Sequence, residues 1–259
     1  MKKNLENNLK KRFNSREIIF GAWVSFDNPS ISEIFSLAGF DFIGIDMEHA
    51  PISLESAQKI FAYAQSNGTA CLPRPVSHNN DFFKPLLDSG ADGLIAPMVQ
   101  SGNDAKSIID LIKYPPKGKR TFGLNRAQGY GLKFDEYIQN WNKNSIFIAQ
   151  IESKEAVKNI DEITSNPDVD GIMIGPYDLS GSFGVPGETN HPLVREACKI
   201  VIDSCKNNNK SCGTQIAAPN KLSVESHIEE GYTFIIMSSD LFILWNWSND
   251  MKSLIRKFR

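Results

Sequence analysis

The order of short apolar runs and amphipathic segments limits the folds open to this chain of 259 residues. Runs rich in branched and aromatic residues predict eight β-strands, and segments with the apolar spacing of helices lie between them. Strands that alternate with helices are typical of a parallel sheet, because each parallel pair needs a crossover connection. We place the strands at Ile18–Val24, Phe42–Asp46, Thr69–Pro73, Gly93–Pro97, Ser145–Ile151, Gly171–Ile174, Ser211–Gln215 and Phe234–Met237.

One helix-to-strand joint recurs along the chain. Gly39, Gly90 and Gly231 each stand just before an apolar run, as a glycine that ends a helix does. Eight strand–helix units is the count of a closed (β/α)8 barrel, or TIM barrel, and we predict that α/β fold. An open doubly wound sheet is the alternative, but the glycine-rich nucleotide loop that usually follows one of its strands is missing from the sequence.

The domain organisation is expected to be simple. Residues 1–259 show no linker or change of composition, so we predict one barrel domain, with residues 1–17 as a segment that caps it. The stretch Tyr114–Asn144 is too long for a simple connection. Its Pro115-Pro116 pair and several glycines predict a partly irregular structure, and we expect a functional loop of the kind that follows barrel strands.

Composition excludes several classes of partner. The formal net charge of −2 gives no reason to expect nucleic acid or an anionic membrane as partner. No apolar stretch approaches the roughly 18 residues that span a bilayer, and the charged N-terminus lacks a secretory signal, so we expect a cytoplasmic protein. The four cysteines show no CxxC spacing and are expected to be reduced.

Two acidic residues stand just past predicted buried strands. Glu152 follows Ile146–Gln150, and Asp178 follows Gly171–Gly175. A carboxylate in such a position is costly unless a cation lies nearby, which indicates a bound divalent metal. Two hard oxygen ligands suit Mg²⁺ or Mn²⁺, with Co²⁺ or Zn²⁺ as substitutes. The alternative is that each acid caps the helix that follows it.

Other polar side chains also follow strands, at the face where barrel active sites are built. His49 is the candidate proton carrier, because imidazole titrates near neutral pH. Arg74 lies between two prolines and is suited to binding a carboxylate or enolate oxygen, with a surface ion pair as the alternative. The last two strands end near Gln215 and at Ser238-Ser239.

Seven short motifs follow one another in a fixed order. Together they resemble the class II, metal-dependent pyruvate aldolases of the HpcH/HpaI family, across about Trp23 to Asp240. The motifs are Asp46-Met-Glu-His-Ala-Pro51, Arg74-Pro-Val76, Leu86-Leu-Asp-Ser-Gly-Ala91, Pro97-Met-Val99, Tyr114-Pro-Pro-x-Gly-x-Arg120, Gln150-Ile-Glu-Ser-Lys154 and Ile174-Gly-Pro-Tyr-Asp-Leu-Ser180.

The resemblance implies a lyase that reversibly cleaves a 4-hydroxy-2-oxo acid or a 2-keto-3-deoxy sugar acid to pyruvate and an aldehyde. It makes Glu152 and Asp178 the metal ligands, and Gln150 a residue that orients pyruvate. It also makes His49 the acid/base group, paired with Asp88.

The same resemblance assigns further contacts. Arg74 would stabilise the enolate of pyruvate, and Trp23 would contact the substrate. Tyr177, which replaces a commoner small residue, would bind pyruvate through its backbone N–H beside Asp178. Gln215, where relatives often carry an apolar residue, suggests with Ser238 a polar, sugar-like aldehyde.

The resemblance also implies a homohexamer built as a trimer of dimers, with the last helix exchanged between neighbours. Residues 240–259 fit such a docking helix, because the apolar Leu241–Trp247 followed by the basic Lys252–Arg259 is otherwise awkward to bury.

Two rival functions stay open. A barrel that acts on a citryl- or malyl-CoA thioester would need a basic grip for the CoA phosphates, and no such cluster stands out near the predicted rim. A barrel that binds an oxoacid without catalysis is the second rival.

A Schiff-base aldolase would need a lysine on a strand, whereas Lys154 and Lys158 lie in a helix and Lys210 precedes its strand.

Overall fold

A ring of eight parallel strands forms the centre of the structure, a computed structural model that describes residues 9–259. Strands are hydrogen-bonded in the order β3-β2-β1-β8-β7-β6-β5-β4, and the Asp92 N–H donates to the Cys71 carbonyl (2.9 Å) where β3 meets β4. The predicted (β/α)8 barrel and its eight strands are therefore confirmed. The strands are β1 Ile19–Val24, β2 Phe42–Asp46, β3 Ala70–Arg74, β4 Gly93–Ala96, β5 Ile146–Ile151, β6 Gly171–Ile174, β7 Ser211–Ile216 and β8 Phe234–Ser239.

Helices cover the outside of this ring. Their starts are set by side-chain caps such as Ser53, whose hydroxyl accepts the Ser56 N–H, and two end at left-handed glycines, Gly39 and Gly231, with φ of 93° and 108°. The helices are α1 Leu9–Asn14, α2 Pro29–Ala38, α3 Leu54–Ser66, α4 Asn80–Asp88, α5 Gly102–Ile112, α6 Phe134–Asn144, α7 Lys154–Lys158, α8 Ile160–Thr164, α9 Pro176–Ser182, α10 Pro192–Asn207, α11 Lys221–Glu230 and α12 Asp240–Ile255, with a 3₁₀ helix at Arg126–Gly131.

The barrel lumen is a packed core that is closed at its floor. Alternate strand residues point inward and form one buried apolar cluster. Phe13 of α1 completes that cluster from below, with its ring centroid 6.2 Å from that of Phe42 and 5.3 Å from that of Phe234. The Ser211 hydroxyl donates to the Phe13 carbonyl (2.7 Å) and holds α1 in place.

The long segment Tyr114–Asn144 lies at the floor end of the barrel. It contains a cis Pro115-Pro116 bond, the 3₁₀ helix and α6, so the prediction of a partly irregular segment is confirmed. It is not one of the loops that follow a barrel strand, because α5 intervenes between β4 and this segment. Helices return the chain to the start of the next strand, which places the segment at the rim opposite the strand ends.

Both termini of the described chain are helical. Of the predicted capping segment 1–17, residues 1–8 lie outside the described residues, and α1 follows them. Helix α12 falls within the predicted docking segment and exposes large apolar side chains, including Trp245 (56%) and Trp247 (60%). Between residues 9 and 259 there is no helix with the length and apolar content needed to cross a membrane.

Candidate active site

Glu152 is a buried carboxylate at the mouth of the barrel, directly after β5. Its Oε1 accepts the Met98 N–H (2.7 Å) and its Oε2 accepts Nε2 of Gln150 (2.6 Å). Burial raises the pKa of Glu152, and the charge of nearby Asp178 raises it further, although the Met98 N–H acts in the opposite direction. Two carboxylates this close repel each other unless a cation or a proton lies between them.

Asp178 lies in the first turn of α9 and is solvent-exposed. Neither acid is a helix cap. The Ser153 hydroxyl caps α7, and α9 begins at Gly175 without a side-chain cap, so the capping alternative is wrong. Residues 9–259 hold no group of three or more His, Cys, Asp or Glu side chains able to bind a metal. The pair fits a hard divalent cation that takes its other ligands from water and substrate.

Arg74, the last residue of β3, is the centre of a polar network. Its Nη2 lies 2.9 Å from Asp46 Oδ2 and its Nε lies 3.2 Å from Glu48 Oε2. Its Nη1 donates to Gln150 Oε1 (3.4 Å), and only 11% of the side chain is exposed. The alternative of a surface ion pair is therefore wrong.

Gln150 links the arginine to the carboxylate pair. Its carbonyl oxygen accepts from Arg74, and its amide nitrogen donates to Glu152. Both ends of the amide are already used, so Gln150 positions these two residues. Any part that Gln150 has in orienting pyruvate is therefore indirect, through the positions of Arg74 and Glu152.

Trp23 of β1 supports Arg74 from within the lumen. The guanidinium carbon of Arg74 lies 4.9 Å from the centroid of the Trp23 ring, which is a cation–π arrangement. The ring lies across Gly44, where a Cβ atom would overlap it. Only 3% of Trp23 is exposed, so little of the ring is accessible to a substrate in this structure.

His49 and Asp88 lie at opposite rims. The His49 side chain is 68% exposed, with Nε2 3.5 Å from Glu48 Oε2, and it follows the C-terminal end of β2. Asp88 ends α4 at the floor side, and its Oδ1 accepts Nη2 of Arg120 (2.7 Å). The predicted pairing of Asp88 with His49 is therefore wrong within one chain.

The remaining predicted site residues differ in their exposure and in whether their polar groups are already hydrogen-bonded. Tyr177 is 67% exposed in the first turn of α9. The Ser238 hydroxyl already donates to the Ala217 carbonyl (2.8 Å), and the Ser239 hydroxyl caps α12. The Gln215 Nε2 is buried and has no hydrogen-bond partner in the described part of the chain.

Two residues of this polar network, Asp46 and Glu48, were named in the sequence only within the motif that contains His49. Asp46 binds Arg74 and also accepts the N–H groups of Glu48 and His49 (both 3.2 Å), so it shapes the turn that carries the histidine. Glu48 lies between Arg74 and His49, and burial raises its pKa. The signal in the sequence was the alternation Phe42, Gly44, Asp46, which points Asp46 into the lumen.

A separate cavity of about 280 Å³ lies at the floor rim, between the long segment and the barrel. Its lining includes Asp92, Glu136, Asn140 and Trp141, and none of the residues of the mouth. It does not belong to the site described above.

Comparison with known proteins agrees with this geometry. The family model described as HpcH/HpaI aldolase/citrate lyase matches residues 20–246. The 5-keto-4-deoxy-D-glucarate aldolase of Enterobacter sp. (strain 638) is 31% identical over 252 residues, which cover 97% of each protein.

Two solved structures share the fold along nearly the whole chain. An HpcH/HpaI aldolase/citrate lyase family protein from Burkholderia cenocepacia J2315 is similar with a TM-score of 0.90 and 28% identity, over 96% of this chain and 99% of that one. The HpcH/HpaI aldolase from Desulfitobacterium hafniense DCB-2 gives 0.87 and 28%, over 96% of each chain. Since the family model spans most of the sequence, this chain belongs to the HpcH/HpaI aldolase/citrate lyase family.

Proposed function

We propose that the protein is a metal-dependent aldolase that reversibly cleaves a 4-hydroxy-2-oxo acid, or a 2-keto-3-deoxy sugar acid, to pyruvate and an aldehyde. The observation that carries the proposal is the pair Glu152 and Asp178 beside a buried, carboxylate-held Arg74. Family membership and the aldolase names of the relatives support the reaction type.

Glu152 and Asp178 would hold the cation, for which we expect Mg²⁺ or Mn²⁺, with Co²⁺ or Zn²⁺ as substitutes. When bound there, such a cation supplies Lewis-acid stabilisation of negative charge on an oxoacid. Gln150 fixes the orientation of Glu152 through its 2.6 Å hydrogen bond. Tyr177 offers a backbone N–H beside Asp178 for the pyruvate half.

Cleavage breaks the C3–C4 bond of the substrate and leaves its electron pair on the pyruvate half as an enolate. His49 accepts the proton of the C4 hydroxyl as that oxygen becomes the aldehyde carbonyl. Arg74, held in place by Asp46, Glu48 and Trp23, faces the mouth and stabilises the developing charge. Protonation of the enolate at C3 then gives pyruvate.

The decisive assay is pyruvate release from a panel of hydroxy-oxo acids, with and without EDTA. We expect activity to disappear with the chelator and to return with Mg²⁺, Mn²⁺ or Co²⁺. Asp178→Asn should lose activity and stay folded, whereas Asp168→Asn should keep it, because Asp168 pairs with Lys117 (2.8 Å) away from the barrel mouth.

Three outcomes would contradict the proposal. Activity that persists without metal, or inactivation by borohydride in the presence of pyruvate, would indicate a lysine mechanism. Cleavage confined to a citryl- or malyl-CoA thioester would favour the CoA-dependent rival. Oxoacid binding without turnover of any substrate would favour the non-catalytic one.

We also propose that the enzyme works as a homohexamer, a trimer of dimers. The exposed apolar side chains of α12 support an assembly in which that helix docks on a neighbour. A pair between His49 and Asp88 would then join two copies, because the residues lie at opposite rims of one. Mixing inactive His49→Ala and Asp88→Asn proteins should restore activity if sites are shared. Gel filtration with light scattering measures the mass of the assembly and so the number of subunits. The cytoplasmic location stays a prediction.

A further inference from the structure

Met98, in the turn after β4, has a backbone conformation that residues with a side chain rarely adopt. Its φ of 50° lies in the left-handed region. The Val99 N–H then donates to the Gln150 carbonyl (3.2 Å). That bond is one residue out of step with the pairing of Ala96 and Ala149, so a bulge lies between them.

The bulge directs the Met98 N–H to a side chain instead of the backbone of β5. That N–H donates to Oε1 of Glu152 (2.7 Å), while Oε2 accepts from Gln150 (2.6 Å). A hydrogen bond to a carboxylate is stronger than one between neutral groups. A backbone strained in this way persists only where its surroundings hold it. The left-handed turn therefore fixes the orientation of one proposed metal ligand, and what holds the turn matters for that ligand.

His78 holds this turn from the other side. Its Nε2 bonds the Pro97 carbonyl, and since a carbonyl only accepts, this nitrogen carries the hydrogen. The ring packs against the fully buried Phe83 of α4, with 6.4 Å between the ring centroids. His78 follows Arg74 by four residues. One side chain thus ties the loop after β3 to the turn after β4.

We propose that His78 is a positioning residue for the metal site. Through the Pro97 carbonyl and the left-handed turn at Met98, it holds Glu152 in the orientation that binds a divalent cation. This inference rests on the proposed function, because it concerns the metal site of the aldolase. Partners of this kind, which orient a ligand without touching the metal, typically change metal affinity by about 10–100-fold when they are lost.

The test measures binding of Mn²⁺ alone to the EDTA-treated and dialysed protein, by calorimetry. His78→Phe keeps an aromatic ring against Phe83 and removes the donor, so its Kd for Mn²⁺ should rise about tenfold or more. His78→Gln places an amide N–H near the position of Nε2 and should recover most of that loss. At saturating Mn²⁺ the kcat of His78→Phe should approach that of the wild-type protein, because every group that contacts the substrate is still present.

His227 of α11 offers a matched control. Its Nδ1 bonds the Ser223 carbonyl (2.7 Å), and its ring lies 5.4 Å from that of Tyr232. The two rings are inclined by 41°, the same angle as between His78 and Phe83. His227→Phe therefore removes the same kind of bond in the last turn of a helix, away from the mouth. The Kd for Mn²⁺ should be unchanged.

A second pair of variants tests the turn itself and serves if His78→Phe does not fold. Valine resists the left-handed conformation, whereas asparagine tolerates it. Met98→Val should therefore raise the Kd for Mn²⁺ about fivefold more than Met98→Asn does. Circular dichroism and urea denaturation establish that each variant is folded.

A folded His78→Phe protein whose Kd stays within about twofold of the wild-type value would overturn the inference while the aldolase function stands. Equal losses in His78→Phe and His78→Gln would overturn it too, since they indicate that the donor is not what matters. A comparable loss in His227→Phe would do the same, because it indicates general damage. If the wild-type protein binds no Mn²⁺ and cleaves no substrate with metal present, the proposed function itself fails.

Discussion

The two rims of the barrel are each organised around one buried arginine, and the two arginines have different surroundings. At the floor, Arg120 pairs with Asp88 (2.7 Å) and stacks on Tyr114 and Trp141, 4.6 and 4.4 Å from the ring centroids. At the mouth, the described residues give Arg74 one aromatic partner, Trp23. The floor arginine is 1% exposed and the mouth arginine 11%.

The balance of charge separates the roles of these two regions. At the floor, one arginine meets one carboxylate inside an aromatic enclosure, so the charges cancel and, within one chain, the cluster stabilises the fold. At the mouth, Arg74 stands among four acids, Asp46, Glu48, Glu152 and Asp178. The excess of negative charge there is costly unless a cationic ligand is bound, which is how a functional site differs from a structural ion pair.

The largest effect is expected at the floor. Arg120→Leu leaves Asp88 buried without its cation and opens the aromatic enclosure. We expect the free energy of unfolding to fall by about 3–5 kcal/mol, measured by urea denaturation. Activity per folded molecule at low temperature should change far less than stability.

The double variant Arg120→Leu/Asp88→Leu sharpens this prediction. Removal of both charges should restore part of the lost stability, because no uncompensated carboxylate is left. If Arg120→Leu alone were as stable as the wild-type protein, the contrast between the rims would be wrong.

The opposite pattern is expected at the mouth. Arg74→Lys keeps the charge but loses the fork that binds Asp46 and Glu48 at once. We expect kcat/KM to fall about 100-fold, with a change in unfolding free energy below about 1 kcal/mol. Steady-state kinetics together with urea denaturation measure both quantities, and a large loss of stability would show that Arg74 is structural.

Adding one buried methyl group at the mouth or near the floor should distinguish the two regions by its effect on kcat/KM, without any change of charge. In Gly44→Ala the new Cβ would overlap the Trp23 ring and displace the support of Arg74. Overpacking costs about 1–3 kcal/mol of stability, and we expect kcat/KM to fall about tenfold as well. The control is Gly21→Ala, whose Cβ would overlap Phe42 near the floor. It should destabilise to a similar degree, with a smaller effect on kcat/KM.

The smallest effect concerns a floor cation that forms no ion pair with an acid among residues 9–259. Lys113 is fully buried and donates to the Ser145 hydroxyl (2.6 Å) and to two carbonyls. Burial lowers its pKa to about 8, so the unfolded chain binds more protons than the folded one between pH 8 and 10.5.

Stability should therefore rise with pH across that window as far as Lys113 is concerned. Between pH 7 and 9 we expect the wild-type protein to gain roughly 1 kcal/mol relative to Lys113→Met, by denaturation at each pH. Parallel plots of unfolding free energy against pH for the two proteins would show that Lys113 does not titrate in this range.

Much of the fold could be predicted from the sequence because its signals are local. Apolar runs such as Gly171–Ile174 and glycines such as Gly39 and Gly231 report on their own neighbourhood, and the structure has them where they were expected. The position of Tyr114–Asn144 was missed, because its length was recognised but the rim to which α5 delivers it was not considered.

The residues of the site were easier to predict than their connections. The alternation along strands delivers Arg74, Gln150 and Glu152 to one mouth. The sequence does not show that Gln150 bridges the other two, or that Asp88 binds Arg120, since these contacts depend on side-chain directions over long distances along the chain.

Because Phe13 closes the floor, the lumen has a single opening. Water, oxoacid and aldehyde must all pass the same ring of side chains, so the ligand that enters first is released last. A molecule seated against Arg74 would be trapped while a second one sits above it, and rates of entry and escape would respond together to any change in that opening.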